Sequence, residues 1–426
     1  MRTVREGDRG SIVALLQWGL RRAKVSDEAP DSVFGSRTLQ AVRELQKANM
    51  LTEDGVAGAK TWAALHPFLT GFLPHTVKQG ETLAEIAGHY GSTLPVTLAA
   101  NPGVSVNDLR PGQTVKVPLP LPVVPVDIPW SFDLFALTLE GLQARFPFLL
   151  VESLGLSVLG RPIYQITVGR GKTRVGYNAA HHANEWITTP VLMKFLEQYA
   201  AGISQNSSIG GVDYRRLYSA YTLDLVPMVN PDGVDLVTGA LARDTEAFAQ
   251  AGRIAGEYPR IPFPAGWKAN IRGVDLNLCY PAGWEKAKQI KYAQGYGKPA
   301  PRDFVGSAPL AAPEAAVMHR RALQANYQLT LSFHTQGELI YWKYANFNPA
   351  GSENLAKRMQ GVSGYLPSVT PPESGNAGYK DWFIQQFNRP GYTIECGKGV
   401  NPLPAAQFDE IYANCFGILL LGMIGL

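Results

Sequence analysis

Cysteine is scarce in this chain, with three in 426 residues, at Cys279, Cys396 and Cys415. They are odd in number, far apart and in no Cys-x-x-Cys spacing, which argues against a disulfide framework and a thiolate zinc site and leaves free buried thiols as the expectation. A charge excess is also missing. Lys and Arg total 39 against 35 Asp and Glu, and the formal charge of +4 speaks against a nucleic-acid partner and fits only weak attraction to anionic polymers. No apolar run is long enough for a membrane span. The stretch Cys415 to Leu426 is twelve residues and reads as a buried closing helix. Met1 to Asp8 has neither an apolar core nor a cleavage site, so no Sec signal peptide is expected. Histidine is sparse too, and its seven positions narrow any search for metal ligands.

At this length two or three domains are expected. Residues 1–72 show apolar residues at helical spacing: Leu15, Leu16, Trp18 and Leu20, then Leu39, Val42 and Leu45, then Trp62 and Leu65. They predict a small all-α bundle, with Ser36 as N-cap of the second helix. Residues 73–118 read strand, helix, helix, strand. Glu81 or Thr82 opens the first of these helices, and the alternation in Thr114 to Pro118 marks a half-buried closing strand. Residues 119–130, "LPLPVVPVDIPW", form a Pro-rich, semi-rigid extended linker. Residues 131–426 alternate a helix-like stretch (Phe132–Phe146) with strand-like ones (Leu156–Val168, Arg174–Tyr177, Tyr221–Val229, Tyr327–Phe333 and Tyr392–Glu395). Several of these are continuously apolar, which predicts a large α/β domain built on a mixed sheet.

The chemistry gathers at "NAAHHANEW", residues 178–186. His182 and Glu185 stand three residues apart between a strand-like and a helix-like run, where a crevice at strand ends is expected. A hydrolytic zinc takes three protein ligands and keeps a position for water. His334, closing the apolar strand Tyr327–Phe333, is the candidate third ligand. Spacing alone does not separate His181 from His182.

Three resemblances extend this picture. "GDRGSIVALLQWGL", "DSVFGSRTLQAVRELQKANML" and "DGVAGAKTWAAL" resemble a peptidoglycan-binding domain of cell-wall hydrolases. "TVKQGETLAEIA", "NP" and "LRPGQTVKVP" look like a LysM domain, which implies binding to N-acetylglucosamine of peptidoglycan or chitin. Residues 130–426 resemble the zinc carboxypeptidases of the carboxypeptidase A type, through H-x-x-E-W (His182, Glu185, Trp186), N-P-D-G (Asn230 to Gly233), G-V-D-L-N (Gly273 to Asn277), S-F-H (Ser332 to His334) and a strand ending in Glu395. This resemblance selects His182 over His181. It implies one Zn2+ held by His182, Glu185 and His334, with Glu395 as general base to the water.

Arg272, just before Gly273, is the candidate cation for the oxyanion. Asp275 is the candidate partner of a zinc histidine. Family carboxypeptidases follow Asp-Leu-Asn with an arginine that, with the asparagine, grips the substrate's terminal carboxylate. Here Asn277 is followed by Leu278, which cannot make that contact. Lys380 falls at the floor of the family's side-chain pocket and favours an anionic group. Tyr379 is a substrate-binding candidate near the family's mobile tyrosine, and the proton donor is left open.

Together these features imply a zinc endopeptidase acting on peptidoglycan stem peptides. Its bond would be that between γ-D-glutamate and a diamino acid (diaminopimelate or Lys), as in enzymes of spore-forming bacteria. The glycan would sit on the LysM module, and the setting would be the cell wall or spore, with synthesis in a sporulating mother cell. A metallocarboxypeptidase of ordinary peptides and a non-catalytic wall binder are the rival readings.

Overall fold

Apolar residues at helical spacing between Ser11 and Thr70 close into three helices, α1 (Ser11–Arg22), α2 (Ser36–Ala48) and α3 (Ala59–Thr70). Leu15, Leu16, Trp18, Val42, Leu45, Trp62 and Leu65 are buried between them. The N-cap of α2 is Gly35 rather than Ser36; Ser36 is the first helical residue, and no side chain caps the end. Gln46 of α2 pins the following turn, donating to Asp54 Oδ1 (2.8 Å) and accepting from Gly55 N (2.9 Å). The computed structural model describes residues 1–425. These fall into two units: Met1–Leu150 with Glu197–Gln205, and Val151–Leu196 with Asn206 onward.

In the first unit, β1 (Phe72–Thr76) pairs antiparallel with β2 (Thr114–Pro118), and α4 (Leu83–His89) and α5 (Leu94–Ala100) lie between them in sequence. Thr82 caps α4 in a reciprocal box with Glu85. Val77, Leu83, Ile86, Val115 and Val117 form the core of this βααβ element. The Pro-rich stretch that follows is held along its length. Arg145, at the end of α6 (Phe132–Arg145), donates from Nη2 to the carbonyls of Leu119 (2.7 Å), Leu121 (2.9 Å) and Gly71 (3.3 Å). Val123, Val124, Ile128 and Trp130 are buried. Gly141 of α6 lies so close to α3 that a Cβ there would sit 2.0 Å from the carbonyl oxygen of Thr70.

The second unit is built on an eight-stranded sheet. Its strands are β3 (Leu150–Leu156), β4 (Pro162–Gly169), β5 (Thr173–Ala179), β8 (Tyr221–Val226), β9 (Leu329–His334), β10 (Leu339–Tyr341), β11 (Leu366–Ser368) and β12 (Gly391–Glu395). The short β6 (Ser208–Ile209) and β7 (Val212–Asp213) pair separately. The sheet order is β11-β10-β12-β9-β5-β8-β4-β3. Strands β12, β9, β5 and β8 run parallel, while β10 and β4 are antiparallel to their neighbours β12 and β8.

The single strand predicted over Leu156–Val168 is instead the end of β3, a turn at Gly160 (φ 80°) and β4. Leu329 to His334 is buried throughout, as continuous apolar strands in a covered sheet should be. Parallel register aligns the carboxyl ends of three neighbours, with Ala179 opposite Phe333 and His334 opposite Glu395. The closing helix Phe408–Ile424 buries Cys415, Ile418 and Leu419. All three cysteines are unbridged and buried, with Cys396 and Cys415 sulfurs 3.4 Å apart. No described helix is long and apolar enough to cross a membrane.

Candidate active site

Strand β5 stops at Ala179, and Ala180 takes a left-handed conformation (φ 52°) that turns the chain out of the sheet. A short 3-10 turn, Ala183–Glu185, follows. Thr188 locks the bend: its Oγ1 accepts from Ala180 N (3.1 Å) and donates to Glu185 O (2.7 Å). The bend brings three side chains to one point. Glu185 Oε1 is 2.9 Å from His182 Nδ1, Glu185 Oε2 is 2.9 Å from His334 Nδ1, and the two ring nitrogens are 3.2 Å apart.

His182 Nε2 lies 3.2 Å from Asp275 Oδ1. A carboxylate there accepts a proton, which places the hydrogen on Nε2 and a lone pair on Nδ1. That lone pair faces His334 Nδ1 and one oxygen of the buried Glu185 carboxylate, whose other oxygen meets His334. Such a set of electron-pair donors with so few protons among them fits a cation at its centre. His181 is turned away: its Nε2 meets the Tyr280 hydroxyl (3.1 Å), and its ring stacks on His334 at 5.8 Å. Asp275 also accepts from the amides of Asn277 (3.2 Å) and Asp303 (3.1 Å). Burial works against its charge, yet His182, the Asp303 amide and Lys268 hold its pKa well below the carboxylate range.

Glu395 ends β12 beside His334 and lines the adjoining cavity. Burial first, then the Glu185 carboxylate, push its pKa up to about 8. A cation between His182 and His334 would offset Glu185 and draw that value down.

A family model described as zinc carboxypeptidase matches residues 137–416. The chain belongs to the zinc carboxypeptidase family. Models for a putative peptidoglycan binding domain and a LysM domain match residues 9–65 and 75–118. Gamma-D-glutamyl-L-diamino acid endopeptidase 1 of Lysinibacillus sphaericus is 43% identical over 294 residues, covering 69% of this chain and 72% of that protein. The uncharacterized protein YqgT of Bacillus subtilis is 40% identical over 276 residues, covering 64% and 72%. Among solved structures, bovine thrombin-activatable fibrinolysis inhibitor in complex with tick carboxypeptidase inhibitor superposes with a TM-score of 0.53 at 16% identity, covering 70% of this chain and 98% of that one. Carboxypeptidase A from Helicoverpa armigera gives 0.50 at 17% identity, covering 89% and 85%. At such identities the likeness shows the fold alone. This family member is therefore a zinc metallopeptidase, preceded by two modules of the kind that bind peptidoglycan at the cell wall.

The zinc peptidase's cavity departs in part from what the sequence suggests. Asn277, Leu278 and Lys380 line it beside His182, Asp275 and Glu395. Lys380 donates to Asp381 Oδ1 (2.5 Å) and to Lys343 O (2.8 Å). Leu278 also packs in an apolar cluster with Trp284, Ala287, Val305 and Ala377, a setting hostile to an arginine.

Arg272 is exposed and is not among the lining residues. The cations that reach the cavity from nearby loops are Lys268 and Arg302, which sequence reasoning missed. Lys268 Nζ is 2.9 Å from Glu185 Oε1. Burial is the largest influence and opposes its charge, but the charge and hydrogen bond of Glu185, with the charge of Glu395, together raise its pKa. Both loops are set by long-range bonds that leave no local pattern: Lys268 N and Ala269 N donate to Pro301 O (2.8 and 2.9 Å). Tyr379 is also absent from the lining. Only its amide touches Asn277 Oδ1 (3.0 Å), while its ring packs among Tyr280, Trp382 and His181.

Proposed function

We propose that this zinc peptidase hydrolyses the bond between γ-D-glutamate and a diamino acid in peptidoglycan stem peptides. The observation that carries this reading is the cavity's charge pattern. The position that would bear an arginine for a chain terminus holds Leu278, while Arg302, whose terminal nitrogens no described residue engages, lines the same space; Lys268, Lys291 and Lys380 there are each paired with an acid. A substrate with carboxylates beside its scissile amide matches that pattern better than one recognised by its terminus. The Lysinibacillus relative named for this activity supports the reading.

His182, Glu185 and His334 would hold the ion. When bound, zinc supplies a Lewis acid and brings the pKa of a water toward ~7. Asp275 keeps His182 in the tautomer that offers Nδ1. Glu395 takes the proton of the attacking water and returns it to the leaving amine. Lys268, rather than the exposed Arg272, brings positive charge to where the carbonyl oxygen becomes an anion.

Residues 1–72 and 73–118 would hold the wall, the latter through N-acetylglucosamine. They would raise the local substrate concentration for the catalytic residues 131–426. The setting would be the wall or spore of a sporulating bacterium.

Incubation with L-Ala-γ-D-Glu-meso-diaminopimelate and with its C-terminal amide tests the reading. Release of L-Ala-D-Glu from both is expected. Cleavage of the free acid only, or removal of residues from ordinary peptides instead, would favour the metallocarboxypeptidase.

A further inference from the structure

Four cations line the cavity, and three acidic side chains account for most of their charge. Lys268 faces Glu185 at 2.9 Å, and Lys380 faces Asp381 at 2.5 Å. The remaining two share one acid: Asp303 Oδ1 is 2.6 Å from Lys291 Nζ, and Asp303 Oδ2 is 2.7 Å from Arg302 Nε. Two positive charges against one negative leave this cluster with a net charge of +1.

Lys291 is spent, with a side chain 6% exposed and closed on Asp303, whereas the Arg302 side chain is 42% exposed. Arg302 uses only Nε on the protein. Among the described residues its terminal nitrogens have no hydrogen-bond partner, and the residue lines the cavity alongside Asn277 and Leu278.

Its loop is also rigidly placed. Asp303 N donates to Asp275 Oδ2 (3.1 Å), and Asp275 N donates to Phe304 O (2.8 Å). Asp303 holds a left-handed conformation (φ 67°), sparsely populated for a residue with a Cβ and maintained here by its bonds on both sides. The carboxylate of Asp275 thus positions both His182 and the backbone that presents Arg302.

Resting on the proposed stem-peptide activity, we infer that Arg302 is a specificity-determining residue whose terminal nitrogens clamp a substrate carboxylate other than the chain terminus. A guanidinium whose Nε is already held presents its two terminal nitrogens as a fixed fork, the geometry that carboxylates bind best. Two carboxylates of the stem peptide have the right chemistry: the α-carboxylate of D-glutamate and the distal carboxylate of diaminopimelate.

The test compares wild type with Arg302→Gln and Arg302→Lys on three tripeptides. These are L-Ala-γ-D-Glu-meso-diaminopimelate, the same peptide with D-isoglutamine in place of D-glutamate, and the same peptide with L-Lys in place of diaminopimelate. Arg302→Gln should lower kcat/KM on the first by about ten- to a hundredfold, chiefly through KM. The loss should nearly vanish on whichever analogue lacks the carboxylate that Arg302 holds, which names the source. Arg302→Lys should recover part of it. An equal loss on all three peptides, or no loss on any, overturns the inference.

Should the wild type cleave none of them, the functional reading fails. Calorimetric titration of L-Ala-D-Glu and of meso-diaminopimelate then decides the clamp separately. Weaker binding of one by Arg302→Gln supports it, and unchanged binding of both refutes it.

Discussion

Replacing Asp275 with asparagine should loosen the metal and the substrate loop together. The carboxylate serves three donors: His182 Nε2 and Asn277 N on Oδ1, and Asp303 N on Oδ2. Asparagine offers one acceptor and one donor end. With its oxygen toward His182 and Asn277, its NH2 meets the Asp303 amide, and one buried donor loses its partner. The opposite orientation strands two donors, so the first should prevail. His182 then keeps a hydrogen bond but loses the negative charge behind it. Partners of this type are worth about ten- to a hundredfold in metal affinity, or about 1.4–2.8 kcal/mol. The orphaned Asp303 amide adds about 1–3 kcal/mol against the present loop conformation. Competition with a chromophoric chelator reads the first effect, and kcat/KM at saturating zinc reads what remains. Zinc affinity within about twofold of wild type would refute the orienting role of Asp275.

Glu395→Gln should retain one zinc per chain by atomic emission while kcat falls by about a hundred- to ten-thousandfold. Loss of zinc would show the side chain to be structural instead. Lys268→Met should keep zinc and lower kcat by about a hundred- to a thousandfold, and an unchanged kcat would return the oxyanion role to another group. Gly141→Ala should reverse the usual helix rule. Alanine gains about 1 kcal/mol over glycine in an ordinary helix. Here the added carbon meets Thr70 O at 2.0 Å and Val123 Cγ1 at 2.8 Å, so a net loss of about 1–3 kcal/mol is expected in thermal or denaturant unfolding.

The small helical region, the βααβ element and the mixed sheet were legible because their signals are local: periodicity, a helix start at Glu81 or Thr82 and continuous apolar strands. His182, Glu185 and His334 were legible as candidates because each sits at the end of a recognisable strand or in the turn after one. Spacing could not choose between adjacent histidines. That choice depends on the backbone bend at Ala180, which turns His181 toward Tyr280. The cavity's cations were the least legible part. Lys268 and Arg302 lie in loops joined through Pro301 O, and no short-range pattern predicts which of several basic residues such a loop turns inward. Arg272, four residues beyond Lys268, is the candidate that the sequence offers, and it lies exposed. Tyr379 is a candidate only through its nearness to the place of the family's mobile tyrosine, and its ring belongs to an aromatic cluster.

The contacts of Arg145 and Gly141 bear on how such proteins are recombined. A leash of twelve residues would let any wall anchor be exchanged for any other by cutting between positions 118 and 131. Here the stretch is stitched down: Arg145 holds Leu119 and Leu121 of the stretch together with Gly71 of the anchor, so a transplanted anchor must offer a carbonyl to that guanidinium and a helix end that fits the bare notch at Gly141. Anchor and stitch have to be exchanged as a set, and lengthening the stretch with Gly-Ser would undo bonds before it gained any reach.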